Sequence, residues 1–266
     1  MKIVSDLELG STSKPAAGVR PAELFRQVVR SVSELKIKLF ADGADLAQIL
    51  AARRNPLIQG FTTNPTLMRA AGVKDYEAFA HEVLAAIPDR PISFEVFADE
   101  FSEMERQARK IAGWADNVYV KIPITNTERI SSLDLAHRLA HSEVKVNVTA
   151  VLTLDQVRDA AAALRDGAPA VISVFAGRIA DTGRDPIPLM AAAVEIVSMY
   201  PNVELLWASP RELLNIFQAN DIGCDIITAT DSVLGKLKVV GKDLHDYSLD
   251  TVQMFFNDAS RSGYQL

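Results

Sequence analysis

Apolar positions along this chain follow two alternating rhythms. Short runs of β-branched and aromatic residues, apolar on both faces, are each followed by a longer stretch with apolar residues at helical spacing. Ile37–Ala41 predicts a strand and Asp45–Ala52 a helix, and Leu57–Phe61 a strand followed by Pro65–Met68 and a helix over Tyr76–Ala86. Ile92–Val96 precedes a helix over Phe101–Trp114 that carries Met104, Ala108 and Ile111 on one face. Asn117–Thr125 precedes Ser131–His141, Val144–Val148 precedes Asp155–Arg165, and Ala170–Phe175 precedes Ile187–Met199. Val203–Trp207 precedes Pro210–Ala219, and Asp225–Thr228 precedes Asp231–Leu237. A further helix is expected to open at Pro21 and run through Leu24, Val28, Val32 and Leu35, and a last one to span Leu249–Ser260.

Eight buried strands, each with its helix, predict an α/β protein: one (β/α)8 TIM barrel with an extra N-terminal and a C-terminal helix. Residues 1–20 mix Ser, Pro, Gly and charges without a period and are expected to form a flexible segment. Residues 21–266 then make one domain, since no Pro-, Gly- or Ser-rich linker divides them. The alternative is an open doubly wound sheet. Its Gly-rich phosphate turn is missing after the first strand, where Asp42-Gly-Ala-Asp45 stands instead.

Composition narrows the function classes. A net charge of −6 with no basic run interleaved with aromatics argues against a nucleic-acid surface. No stretch approaches the length of a membrane span, and the N-terminus lacks a signal-peptide core. Cys224 is the single cysteine, which excludes an internal disulfide and fits a reducing compartment. A cytoplasmic location is expected. His81, His137, His141 and His245 lack metal-site spacing, so neither metal nor cofactor is expected.

Against this background Lys121 stands out, in the middle of the apolar run Val118-Tyr-Val-Lys-Ile-Pro123. Burial disfavours the charged form of a lysine, and an amine in a partly dry pocket is a nucleophile for Schiff-base chemistry. The bland alternative is a strand-end lysine with its head in water. The other strand ends of such a barrel decide between them, because reactive side chains collect on its C-terminal face. They offer Asp42, then Thr62, Thr63 and Asn64, then Glu95, then Asn147 and Thr149, then Ser173, Phe175 and Arg178, and finally Ser209 and Arg211. Singly, Asp42 and Asn64 could be helix caps and the arginines surface cations. Jointly, an amine, two carboxylates, hydroxyls, an amide and two guanidiniums describe a site for a phosphorylated carbonyl compound.

From about Lys36 to Leu237 the chain resembles the transaldolase family, including its smaller fructose-6-phosphate aldolase branch. The resemblance rests on Phe40-Ala-Asp-Gly-Ala-Asp45, Gly60-Phe-Thr-Thr-Asn-Pro-Thr66, Val120-Lys-Ile-Pro-Ile-Thr125, Asn147-Val-Thr149 and Ser173-Val-Phe-Ala-Gly-Arg-Ile179. Ala208-Ser-Pro-Arg211 and Gly223-Cys-Asp-Ile-Ile-Thr228 complete it in order. It implies Lys121 as the Schiff-base lysine, Asp42 as the acid/base at the C4 hydroxyl, and Glu95 with Thr149 as the pair orienting a catalytic water. It implies Asn64 and Ser173 as contacts to substrate hydroxyls, Arg211 and Ser209 as phosphate contacts, and Arg178 beside the substrate or its phosphate. Thr63, Asn147 and Phe175 are carried over as substrate-binding positions.

Glu95 and Phe175 match the transaldolase side, where the aldolase branch carries Gln and Tyr. Gly43 departs from the usual Thr, Thr125-Asn-Thr127 is unlike the usual continuation, and the chain is shorter than the long transaldolases. The expected activity is transfer of a dihydroxyacetone unit between sugar phosphates, as in the pentose phosphate pathway. The alternatives are an aldolase releasing free dihydroxyacetone and a non-catalytic sugar-phosphate-binding barrel. The sequence leaves the oligomeric state open; the N-terminal helix and Met254-Phe-Phe256 would cover a barrel end or meet a neighbouring subunit of a homo-oligomer.

Overall fold

A computed structural model describes residues 30–265. Eight parallel strands close on themselves in sequence order: β1 (Lys38–Asp42), β2 (Ile58–Thr62), β3 (Ile92–Glu95), β4 (Val118–Pro123), β5 (Val146–Val151), β6 (Ala170–Val174), β7 (Val203–Trp207) and β8 (Ile226–Thr230). The first strand pairs with the last along its whole length, from Lys38 beside Ile226 to Asp42 beside Thr230. The expected (β/α)8 barrel is the observed fold. Each expected strand is present, with its ends within three residues of those expected.

Helices follow the strands in turn: α1 (Leu46–Arg53), α2 (Pro65–Ala70) and α3 (Tyr76–Ala86), α4 (Phe101–Ala112), α5 (Leu133–Ala140), α6 (Leu154–Leu164), α7 (Ala176–Asp181) and α8 (Ile187–Val197), α9 (Leu214–Asp221), α10 (Asp231–Leu234) and α11 (Leu244–Ser262). Their starts are written in side chains. Asp45, Asn64 and Asp75 accept backbone N–H groups at α1, α2 and α3, and Thr153 forms a capping box with Gln156 at α6.

Strand periodicity sorts side chains into two compartments. On β4, Val118, Val120 and Ile122 point outward into the large core under the helices, alongside Met104, Ala108 and Ile111 of α4. Tyr119 points inward, onto a separate cluster of Phe40, Val171, Leu206, Ala208 and Ile226. Lys121 shares the inward parity of Tyr119. The inner cluster fills the middle of the ring, leaving the two ends for polar groups: Lys38 pairs with Glu204 at the N-terminal end, and Lys121 lies at the C-terminal end.

The two ends of the chain and the β6–α8 connection need separate comment. Residues 1–20 and most of the proposed N-terminal helix lie outside the described residues; within them, Val32–Glu34 forms one 3-10 turn. That turn is closed by a Ser31–Glu34 capping box, after which Leu35 turns extended to enter β1. Helix α7, between β6 and α8, was not anticipated because Ala-Gly-Arg-Ile carries no apolar stripe. The last helix begins at Leu244 rather than Leu249, since Asp243 caps it by accepting from the N–H groups of His245 and Asp246. It covers no barrel end: α11 buries none of its residues, and Phe256 is 72% exposed. No helix among the described residues is long and apolar enough to cross a membrane.

Gly60 on β2 is required by the inner cluster, because a Cβ there would sit 2.4 Å from the Phe40 ring. Gly60→Ala should therefore destabilise the barrel by about 1–3 kcal/mol through overpacking. A lower urea midpoint with an unchanged slope is the expected readout.

Candidate active site

Strand register brings Glu95, Lys121 and Asn147 side by side on β3, β4 and β5. Lys121 is 6% exposed. Its Nζ donates to the Thr63 carbonyl at 2.9 Å and lies 3.3 Å from Glu95 Oε2. A nitrogen taken out of water needs such partners, and they come from the ends of β2 and β3. The solvent-exposed strand-end alternative for Lys121 is thereby set aside.

Asp42 ends β1 on the same inward face, and with Glu95 and Lys121 it lines one cavity of about 580 Å3. That size suits a small-molecule ligand. Thr62 Oγ1 donates to Asp42 Oδ1 at 2.7 Å and sits 2.6 Å from Thr228 Oγ1. Burial raises the Asp42 carboxyl above the ordinary carboxylate range; the Thr62 hydrogen bond and the charge of Lys121 only partly oppose it. Asp42 is therefore no helix cap: Asp45 caps α1 instead.

Beside Lys121 on β5, Asn147 is fully buried. It donates to Ser93 Oγ at 3.1 Å and accepts from Ser173 Oγ at 2.7 Å. Asn147 therefore braces the floor rather than lining the cavity, whereas Ser173 does line it. Thr149 lines the cavity too, and its buried Oγ1 has no hydrogen-bond partner within the described chain. The β5–β6 pairing slips between Val148 and Val151, and Ala150 adopts φ 61°. Such a bulge re-aims the side chains beside it.

At the rim, Asn64 lines the cavity while capping α2, accepting from Leu67 N–H at 3.0 Å. Thr63 enters through its carbonyl, since its hydroxyl is turned away and donates to the Ser93 carbonyl at 3.0 Å. Phe175, Arg178, Ser209 and Arg211 line the opposite wall. Arg178 stacks over the Phe175 ring at 5.5 Å and makes no ion pair among the described residues. Arg211 is paired with Asp181 of α7. Gly177 permits this wall: a Cβ there would lie 1.6 Å from the Ser209 carbonyl oxygen. Thr62 is one of the expected strand-end residues, whereas Thr228 was not singled out by sequence reasoning; the signal was its inward parity on β8, level with Phe40 of β1.

These groups define a (β/α)8 barrel with a lysine-centred polar pocket at the C-terminal ends of its strands. A family model described as Transaldolase/Fructose-6-phosphate aldolase matches residues 39–266, and the chain belongs to that family. A protein of Dehalococcoides mccartyi described as a probable transaldolase is 34% identical over 199 residues, covering 74% of this chain and 88% of its own. One of Streptococcus pyogenes serotype M5, described in the same words, is 35% identical over 202 residues, covering 76% and 90%. Among solved structures, thiamine phosphate pyrophosphorylase of Pyrococcus furiosus superposes with TM-score 0.53 at 12% identity, covering 80% of this chain and 96% of its own. A 2,3-dimethylmalate lyase does so with TM-score 0.52 at 13% identity, covering 88% and 86%. These last two share the fold alone.

The raised Asp42 has a consequence for stability. The folded state holds that proton more tightly than the unfolded chain, whose aspartates titrate near ~3.9. The stability it contributes is complete below that value and is lost as pH rises through the folded value. Asp42→Asn keeps an acceptor for Thr62 and has no charge to desolvate. The variant should melt higher than the parent at neutral pH, and the gap should close in acid; thermal unfolding across pH measures this.

Proposed function

We propose that the protein is a transaldolase, moving a three-carbon dihydroxyacetone unit from a ketose phosphate to an aldose phosphate through a Schiff base on Lys121. The observation that carries this reading is the buried Lys121 amine beside Glu95, in the same cavity as Asp42. The Lys121 nitrogen adds to the substrate's C2 carbonyl, and loss of water leaves an iminium. The Asp42 carboxylate takes the C4 hydroxyl proton as the C3–C4 bond breaks. The electron pair of that bond moves into the iminium, leaving an enamine, and the aldose phosphate departs. The enamine carbon then attacks the carbonyl of a second aldose phosphate, and Asp42 returns its proton to the new hydroxyl. Water adds to the resulting iminium and frees Lys121. Proton transfer of this kind is worth roughly 10²–10⁴ in rate.

The surroundings fit these roles. Glu95, 3.3 Å from the amine, and the unpartnered Thr149 hydroxyl are placed to hold the water that forms and later cleaves the iminium. Ser173 and Asn64 meet substrate hydroxyls. Arg178, Ser209 and Arg211 form a wall that suits a phosphate, which would compete with Asp181 for Arg211.

Borohydride reduction with fructose 6-phosphate, followed by peptide mass mapping, tests the reading. A three-carbon adduct on Lys121 is expected, and Lys121→Met should abolish it; an unmodified Lys121 overturns the mechanism. A coupled assay without acceptor aldehyde separates transferase from lyase. The transferase reading expects little free dihydroxyacetone, whereas steady release at the transfer rate favours the aldolase.

A further inference from the structure

The seam between β2 and β3 is incomplete at its upper end, and the gap lies next to the lysine. Lower down, Phe61 N–H donates to the Pro91 carbonyl at 2.9 Å and Thr63 N–H to the Ser93 carbonyl at 3.2 Å. A parallel ladder alternates evenly, so its next rung would run from Glu95 N–H to the Thr63 carbonyl. That rung is absent. The Thr63 carbonyl accepts from Lys121 Nζ instead, and Glu95 N–H donates to the Tyr76 hydroxyl at 2.9 Å. The same hydroxyl donates to the Glu95 carbonyl at 3.0 Å. One phenol thus closes both backbone groups of Glu95 on the side that β2 has abandoned.

Tyr76 is built for this place. It is the first residue of α3, set by the Asp75 side chain accepting from Ala78 N–H at 3.0 Å. Its ring packs edge-on against Phe94 at 6.0 Å, Phe97 at 4.5 Å and Trp114 at 5.6 Å. Burial holds the phenol above the ordinary tyrosine range, so the hydroxyl keeps its donor proton.

We propose that Tyr76 is a positioning residue of this site: its hydroxyl stands in for the missing rung, which leaves the Thr63 carbonyl free to hold the Lys121 amine and pins Glu95 beside it. The proposal rests on the reading of Lys121 as the reactive amine. Tyr76 touches no substrate; it acts through the backbone of Glu95. Without the hydroxyl, Glu95 N–H closes onto the Thr63 carbonyl, and Lys121 loses one of its two acceptors.

Tyr76→Phe tests this. The expected result is a folded variant whose kcat for transfer falls about tenfold with KM for fructose 6-phosphate little changed, the scale of a buried backbone donor losing its partner. The fraction of turnover lost to free dihydroxyacetone should rise, because Glu95 no longer holds its water. Phe97→Leu loosens the same ring packing without touching either hydrogen bond, and should lower the melting temperature while leaving kcat and partition as in the parent. A Tyr76→Phe enzyme with parental kcat and partition overturns the proposal, as does its crystal structure with Lys121 Nζ still on the Thr63 carbonyl. If Tyr76→Phe fails to fold, 3-fluorotyrosine at position 76 keeps the shape and weakens the phenol as an acceptor. A smaller change in the same direction supports the proposal, and parental kinetics overturn it. Absence of any Lys121 adduct in the parent overturns the functional reading instead, and the crystal structure of the variant still decides whether the hydroxyl frees the carbonyl.

Discussion

A single nitrogen inside a closed ring sets the terms for everything around it. Removing an amine from water is costly unless acceptors meet it at hydrogen-bond distance. Lys121 finds two, the Thr63 carbonyl and the Glu95 carboxylate, and neither lies on its own strand. Their supply depends on register: Glu95 is level with Lys121, and Thr63 follows directly on β2. A slip of one residue in β3 would turn the Glu95 side chain outward into the apolar core, and one in β2 would carry the Thr63 carbonyl out of register.

The ring keeps this corner partly dry by stacking its contents. Phe40, Val171, Leu206 and Ile226 plug the middle of the barrel, while Val120 and Ile122 seal the outside of β4 under the helices. Polar groups on the C-terminal side of this plug then have one open side, the rim. The Ser93–Asn147–Ser173 chain forms the boundary layer, spending its hydrogen bonds internally. Above it, the Asp42–Thr62–Thr228 chain and the free hydroxyl of Thr149 face the cavity. Glycine makes two of these approaches possible, at Gly60 against the Phe40 ring and at Gly177 against the Ser209 backbone.

Much of this was legible in the sequence, for a reason specific to buried parallel sheets. Strands covered on both faces read as unbroken apolar runs, so an interruption such as Lys121 or Glu95 announces itself. Asp42, Ser173 and Arg211 were legible as strand-end residues. What stayed hidden depends on backbone geometry rather than side-chain identity. Thr63 contributes its carbonyl, a group every residue carries. Asn147 has the right parity but spends its amide on Ser93 and Ser173, partners that only the closed ring brings to it. Tyr76 lies at a helix start, remote in sequence from the strand end it braces. Helix α7 lacks an apolar period, and the start of α11 rests on the one carboxylate of Asp243.

The Thr62–Thr228 contact links the second strand to the last, and β1 pairs with β8 along its whole length. An emerging polypeptide therefore makes its acid early and its amine midway, yet leaves the acid's neighbours incomplete until translation has nearly ended. A ribosome-bound chain lacking the final stave would expose Asp42 on a raw sheet edge, solvated and ordinary. The buried pocket that holds both groups arrives with ring closure rather than growing in step with the chain, so fragments released prematurely lack it.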